Sequence, residues 1–198
     1  LDTESNSATW NTYDANLDSW TSPYFETYED LTSAIDYQSK YNTAYTKASE
    51  AEMIPIKSST IQVDTLEASQ SYLKKFRVQL NYKRNLNRII VSEPSQINFR
   101  LFKVNGEIAD NYGNDPHKYH VHKNRFKDNI IDYYVVNQEP LYFEFEVDKD
   151  QDIEFVFNEI SFDLFSHPLF SVKKRPKDKM PKPFVVNDAI ITKQKLRL

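Results

Sequence analysis

The segment His117–His122 reads HKYHVH and holds three of the four histidines in a chain of 198 residues. Neutral imidazoles are habitual zinc ligands, usually with a carboxylate or a further histidine completing the shell. On a strand, His120 and His122 point to the same face, a geometry that can chelate. Asp110 and Asp115 lie upstream as third ligands. A small metallohydrolase built on His117, His120 and His122 is therefore one function these residues offer. Against it stands the neighbourhood, NYGNDPHKYHVHKNRFKDN, in which Lys118, Lys123, Arg125 and Lys127 crowd the imidazoles with positive charge. Cations beside a site disfavour a dication, and no HExxH-like pairing of ligands and base is present. The residues favour an exposed hairpin arm, with His120 and His122 on its wet face and Tyr119 and Val121 on its dry one. No catalytic residue, cofactor or metal is assigned to the chain on this reading. His167, in SHPLF, precedes a proline and reads as a turn residue.

Other chemistries find less. There is no cysteine nucleophile, no GxSxG elbow and no glycine-rich phosphate loop. Glu144, Glu146, Glu154 and Glu159 could imitate the carboxylate pair of a glycosidase, but their alternation with apolar residues puts them on the outward faces of strands. KKFRVQLNYKRN interleaves basic and aromatic residues as single-stranded nucleic acid sites do, yet its period is that of a core strand. The 28 aromatic residues (13 Tyr, 13 Phe, 2 Trp) motivate a rival binding function, a carbohydrate- or peptide-binding module. That rival requires an exposed, coplanar row of Trp or Tyr.

The elements that must position these side chains follow from periodicity. In residues 1–52, Trp10, Tyr13, Leu17 and Trp20 fall at i, i+3, i+7 and i+10, the spacing of one helical face. Tyr37, Tyr41 and Tyr45 repeat every four residues. From about residue 59 the period becomes two. Phe76, Val78, Leu80 and Tyr82 alternate with Arg77, Gln79 and Asn81, and Ile97, Phe99 and Leu101 alternate in QINFRLFKV. Asn105-Gly106 then supplies the strongest short hairpin signal. IIDYYVV is a further strand. LYFEFEV turns through DKDQD into IEFVF, which reads as a second hairpin at the centre of the core, and ISFDLF and PFVVNDAII add strands. The expected fold is mainly β, an antiparallel β-sandwich of jelly-roll or immunoglobulin-like kind with a short N-terminal helical and loop wrap. The expected division is an acidic wrap over 1–52 and a sandwich over 53–198.

Charge is uneven along the chain. Residues 1–52 carry ten acidic and two basic side chains, and the rest carry the remaining 19 and 23. An acidic front and a basic end suit mutual pairing within one fold. The basic residues Lys173, Lys174, Arg175, Lys177, Lys179 and Lys182 sit in KKRPKDKMPKP, whose prolines make it an extended crossover. This loop is solvated, and it is also the one stretch suited to an acidic surface or to lipid headgroups. No run of about 18 apolar residues exists to span a membrane. The absence of cysteine excludes disulfides and Cys-ligated metal, and Leu1 in place of Met implies a piece of a longer chain.

Two segments carry a resemblance. SFDLFSHPLFSVKKRPKDKMPKPFVVNDAIITKQ is similar to the C-terminal end of large membrane-anchored zinc aminopeptidases of bacteria, through Phe162-Asp163-Leu164, Pro168-Leu169-Phe170, Met180-Pro181, Pro183-Phe184-Val185 and Asn187-Asp188-Ala189. TYDANLDSWT with SKYNTAYTKASEA resembles the join between their last membrane helix and terminal domain. These proteins belong with the endoplasmic-reticulum metallopeptidase, aminopeptidase Y and glutamate carboxypeptidase family. The resemblance implies a non-catalytic, extracytoplasmic C-terminal β-domain, tethered on the periplasmic side and supporting, gating or docking to the peptidase and membrane domains of its parent. Zinc and its ligands would belong to the parent's first domain, and no segment of this chain matches that motif.

Overall fold

The computed structural model describes residues 1–30, 45–95, 97–109, 121, 128–183 and 185–198. The chain divides into two compact units, one of residues 1–55 and 161–191, the other of 56–160 and 192–198. Residues 161–191 thus join the N-terminal part rather than the sandwich.

In the first unit, β1 (Ala8–Thr12), β2 (Glu29–Asp30) and β3 (Lys47–Ala51) form an antiparallel sheet in the order β1-β3-β2. The helix expected over Trp10–Trp20 is absent, and the sole helical piece among the described residues is a 3-10 turn at Ser22–Tyr24. Thr9, Trp10 and Thr12 have β-branched or aromatic side chains that suit a strand. Beyond them, short polar side chains capture the amides a helix would need. Asp14 N–H donates to Thr12 Oγ1 at 3.1 Å, and Trp20 and Thr21 N–H donate to Asp18 Oδ1 at 2.8 and 2.9 Å. Tyr37 and Tyr41 lie outside the described residues, and Tyr45 is buried against Tyr13, with ring centroids 4.1 Å apart.

The second unit is built from antiparallel sheets in a two-layer, sandwich-like arrangement, as the period of two predicts. One sheet runs β4 (Thr60–Leu66), β5 (Leu73–Asn81), β10 (Tyr142–Asp148), β7 (Leu101–Val104), β8 (Glu107–Ile108). The other runs β12 (Ile190–Arg197), β11 (Glu154–Ser161), β6 (Arg88–Ser92), β9 (Asn129–Tyr134). The β7–β8 turn is the expected one. Asn105 and Gly106 take φ of 49° and 89°, the positive values that a two-residue hairpin demands.

LYFEFEV and IEFVF do not form a hairpin. β10 has β5 and β7 as its neighbours, and β11 lies in the other sheet. None of residues 149–153 takes the positive φ that would fold the strands side by side. The chain instead arches over, and the two apolar faces meet across the interior. The expected burial survives this correction. Leu141, Phe143, Phe145, Val147, Ile153, Phe155 and Phe157 are all buried, and Phe155 meets Phe143 and Phe145 edge-on at 5.3 and 5.2 Å. Edge-to-face rings at these distances are favourable beyond their burial.

Three smaller departures have local causes. At Arg100 the chain bends, so Phe99 and Phe102 are both buried while Leu101, expected inside, is half-exposed. After Ser161 the predicted strand ISFDLF ends, because the Asp163 carbonyl accepts the amides of Ser166 and His167 and closes a turn before Pro168. PFVVNDAII becomes strand only at Ile190, after Asp188 with φ of 54°. Among the described residues, no helix is long and apolar enough to cross a membrane.

Candidate functional site

His117, His120 and His122 lie outside the described residues, as do Asp110, Asp115 and Tyr119. Val121, between two of the histidines, is fully buried. Among the described residues, no group of three or more His, Cys, Asp or Glu is placed to hold a metal ion. His167 sits in the turn expected of it. Its amide donates to the Asp163 carbonyl at 2.7 Å, its Nδ1 accepts the Leu169 amide at 3.3 Å, and its ring meets Phe170 edge-on.

The carboxylates divide into two kinds. Glu144 lies on the outer face of β10, bonded to the Arg77 guanidinium opposite it on β5. Glu154 lies near the start of β11 and takes Lys195 Nζ at 3.0 Å and Arg197 Nε at 2.9 Å, which hold its carboxyl below the usual range. Glu146 shares the outer face of β10 with Glu144 but is only 4% exposed. It accepts the Ser69 amide and hydroxyl at 3.1 and 2.7 Å, with Lys75 Nζ at 3.5 Å. Burial alone would raise its pKa, yet Ser69 and Lys75 together bring it below the ordinary value.

Glu159 departs from expectation. The expected outward face belongs to Glu144 and Glu154, whereas Glu159 shares the parity of Phe155 and Phe157 and is fully buried. Glu154 has the opposite parity on the same strand. The Ser59 amide donates to both carboxylate oxygens at 3.0 and 3.1 Å, and Gln194 Nε2 donates to Oε1 at 2.6 Å. Gln194 also donates to the Ser59 carbonyl at 3.1 Å. Arg84 donates to the backbone carbonyl of Glu159 at 2.9 Å and to Thr192 Oγ1 at 3.2 Å. Burial pushes the Glu159 carboxyl up, against the pull of the Ser59 bonds and the Arg84 charge. A buried carboxyl with a raised pKa is the kind of group that acid–base catalysis uses. Here its partners are a backbone amide and a glutamine that tie the chain before β4 to β11 and β12. A glycosidase pair would need two carboxyls facing one another across a cleft. Glu144 and Glu146 are instead neighbours on one outer face, and Glu154 and Glu159 lie on opposite faces of one strand.

Sequence reasoning gave no role to Glu93 or Ser59. Glu93 is fully buried at the end of β6, where it accepts the amides of Ser95 and Ile97 at 2.7 and 2.8 Å. The signal was in the sequence as Glu-Pro-Ser after a strand, a polar side chain positioned to collect the amides of its own loop. Ser59 offered no comparable signal, because its role depends on a partner 100 positions away.

In the first unit, the acidic front and basic end meet as charge asymmetry suggests. Lys179 Nζ lies 3.0 Å from Asp18 Oδ2. The Thr21 amide and Lys179 hold the Asp18 carboxyl well below the carboxylate range. Arg175 bonds Asp188 and lies over the Trp20 ring at 4.8 Å, while Trp20 Nε1 donates to the Lys173 carbonyl. Trp10 and Tyr24 meet at 56° with ring centroids 5.1 Å apart, and the Tyr24 hydroxyl accepts the Lys173 amide at 3.0 Å. Lys173, Lys174, Lys177 and Lys182 are exposed along it. An open recess of about 410 Å³ lies beside Tyr72, Asp148, Lys149 and Asp150. No protein-family model, no curated protein and no solved structure matches the chain, and its own residues carry the functional reading.

Proposed function

We propose that this chain is a non-catalytic β-domain that supports, gates or docks to other parts of a longer protein. The observation that carries this reading is how the charged side chains of the second unit are used. Arg77 pairs with Glu144, Lys75 with Glu146, Arg88 with Asp132 at 2.6 Å, Arg100 with Asp148 at 2.9 Å, and Lys195 and Arg197 with Glu154. Each of these carboxylates is neutralised by a cation on a neighbouring segment, and Glu159 is held by Ser59 and Gln194. Groups committed to one another in this way make a scaffold and leave little poised for acid–base work. The resemblance of residues 161–194 and of the front segment supplies the parent. It would be a membrane-anchored zinc aminopeptidase with its zinc in a preceding domain and this domain on the periplasmic side.

The test is activity and metal content of the purified chain. It is expected to leave aminoacyl-p-nitroanilides uncleaved with or without added zinc, and to retain zinc well below one equivalent. Zinc-dependent turnover abolished by His120→Ala would overturn the reading and install the histidine cluster as a catalytic centre. The coding sequence upstream of Leu1 tests the parent separately, where a peptidase domain followed by several hydrophobic helices is expected.

A further inference from the structure

We propose that β4 is a self-complementary edge, on which a second copy of this chain adds its own β4 antiparallel to make one continuous sheet across a twofold axis at Val63. Sheet edges invite pairing, and proteins blunt them with lysines, prolines, bulges or very short strands. Among the described residues, three of the four sheet ends in the second unit carry such devices. β8 is two residues long, β12 displays Lys193, Lys195 and Arg197, and the β9 pairing slips register between Val91 and Ser92. β4 carries none of them. Its seven residues, TIQVDTL, pair with β5 without a register break, and they contain no proline, glycine or basic residue.

The ladder shows which backbone groups of β4 point away from β5. The Leu80 amide donates to the Leu141 carbonyl and the Lys149 amide to the Tyr72 carbonyl, so the even-numbered residues of β5 bond to β10. Alternation then turns Lys75, Arg77, Gln79 and Asn81 toward β4, where they stand opposite Leu66, Asp64, Gln62 and Thr60. The N–H and C=O groups of Ile61, Val63 and Thr65 therefore face outward, and among the described residues β4 has no second strand neighbour.

An incoming copy must keep its apolar face level with this one, which restricts the pairing to residues of like parity. Centring on Val63 uses all seven residues of each strand. It sets Ile61 against Thr65 of the other copy, and each of these pairs exchanges two hydrogen bonds, as does Val63 with itself. On the outer face it sets Gln62 against the other copy's Asp64, twice by symmetry. Gln62 already donates to Asp64 of its own strand at 3.2 and 3.3 Å, so donor and acceptor are at hand for the exchange. Centring on Asp64 instead would oppose two carboxylates. The half-buried Ile61 and Val63, which pack on the core from this edge, would gain cover from their counterparts.

Pairing one edge buries less than a standard interface, so the dimer depends on concentration. Sedimentation equilibrium of the whole chain should show the mean mass rising from 23.4 kDa toward twice that value as concentration increases. Thr65→Pro removes an outward N–H and leaves the β5 ladder untouched. It should hold the mass at one chain while the far-ultraviolet spectrum stays that of the native protein. Should this variant misfold, Gln62, which is exposed, gives a pair of opposite changes. Gln62→Asp places like charges opposite each other and should weaken the dimer about 2- to 30-fold, while Gln62→Lys should strengthen it by a similar factor. A single-chain mass at every concentration overturns the proposal. So does a dimer indifferent to Thr65→Pro, or one that responds in the same direction to both changes at Gln62.

Discussion

Phe145→Ala should be among the most damaging single changes the molecule can suffer. Phe145 is fully buried, and its ring meets Phe155 at 5.2 Å, Phe76 at 5.7 Å, Phe99 at 5.8 Å and Phe143 at 6.1 Å. Truncating a phenylalanine in such a site costs about 3–5 kcal/mol, because neighbours drawn from two sheets cannot collapse into the space together. In a chain of this size each kcal/mol moves the melting temperature by about 2–4 °C, so a fall of about 6–20 °C is expected. The two flanking glutamates make the comparison informative. Glu144→Ala removes a partner of Arg77, whose own side chain is 43% exposed, and should cost no more than about 1 kcal/mol. Glu146→Ala removes the two hydrogen bonds that a 4% exposed carboxylate accepts from Ser69 and should cost about 1.5–3 kcal/mol. Calorimetry on the three variants should rank them Phe145, Glu146, Glu144 in decreasing damage. A Glu144→Ala loss as large as that of Phe145→Ala would mean that the faces of β10 are exchanged, and the register with β5 and β7 would fall with them.

Glu159 and Glu146 should show opposite pH signatures. Burial raises the folded-state pKa of Glu159, so its contribution is undiminished below the unfolded value of about 4.3 and declines as pH rises through the folded one. The urea midpoint of Glu159→Gln should therefore gain on wild type as pH rises from about 4 to 7, and a flat difference would refute the buried placement. The Glu146 pKa is lowered, so its contribution is present above the unfolded value and disappears as pH falls through the folded one. The midpoint difference between wild type and Glu146→Gln should accordingly shrink in acid, and a constant gap would count against the Ser69 contacts. Gly106→Ala forces a side chain into φ of 89° with Tyr142 Oη 3.4 Å away, and thermal melts should register a loss of about 1 kcal/mol.

The alternation of Leu141, Phe143, Phe145 and Val147, and of Ile153, Phe155 and Phe157, was legible because burial of one face imposes a period of two wherever a strand lies. What the pattern could not convey is whether two adjacent strands lie beside each other or across from each other, since both arrangements bury the same residues. Only the DKDQD backbone separates the two, and its lack of positive φ is not written in its composition. Parity is also decisive at Glu159, where a charged residue sits in the apolar phase of its strand and position outweighs residue type. The N-terminal helix failed for the converse reason. Four well-spaced apolar residues could not outweigh Thr, Asn and Asp side chains that bond to nearby amides. The clasp at Ser59 and the pairing of Asp18 with Lys179 depend on residues far apart along the chain, and no local pattern announces them.

The division into two units has a consequence for how the molecule is made. Synthesis runs from the first residue to the last, yet neither unit is a continuous stretch of chain. The first unit begins at Leu1 and remains incomplete until residues 161–191 have been made, long after β1 and β3 have emerged. The second contains both partners of the aromatic core by Ile160 but still lacks residues 192–198, with Gln194, which clasps Glu159, and Leu198, whose amide and carbonyl pair with Ile153. A nascent chain halted before residue 192 would hold its phenylalanines in place with one sheet border open and a buried carboxyl short of a partner. Such a chain is the form most exposed to misassociation and to proteases, and deletions within residues 192–198 should be tolerated far less well than their distance from the core suggests.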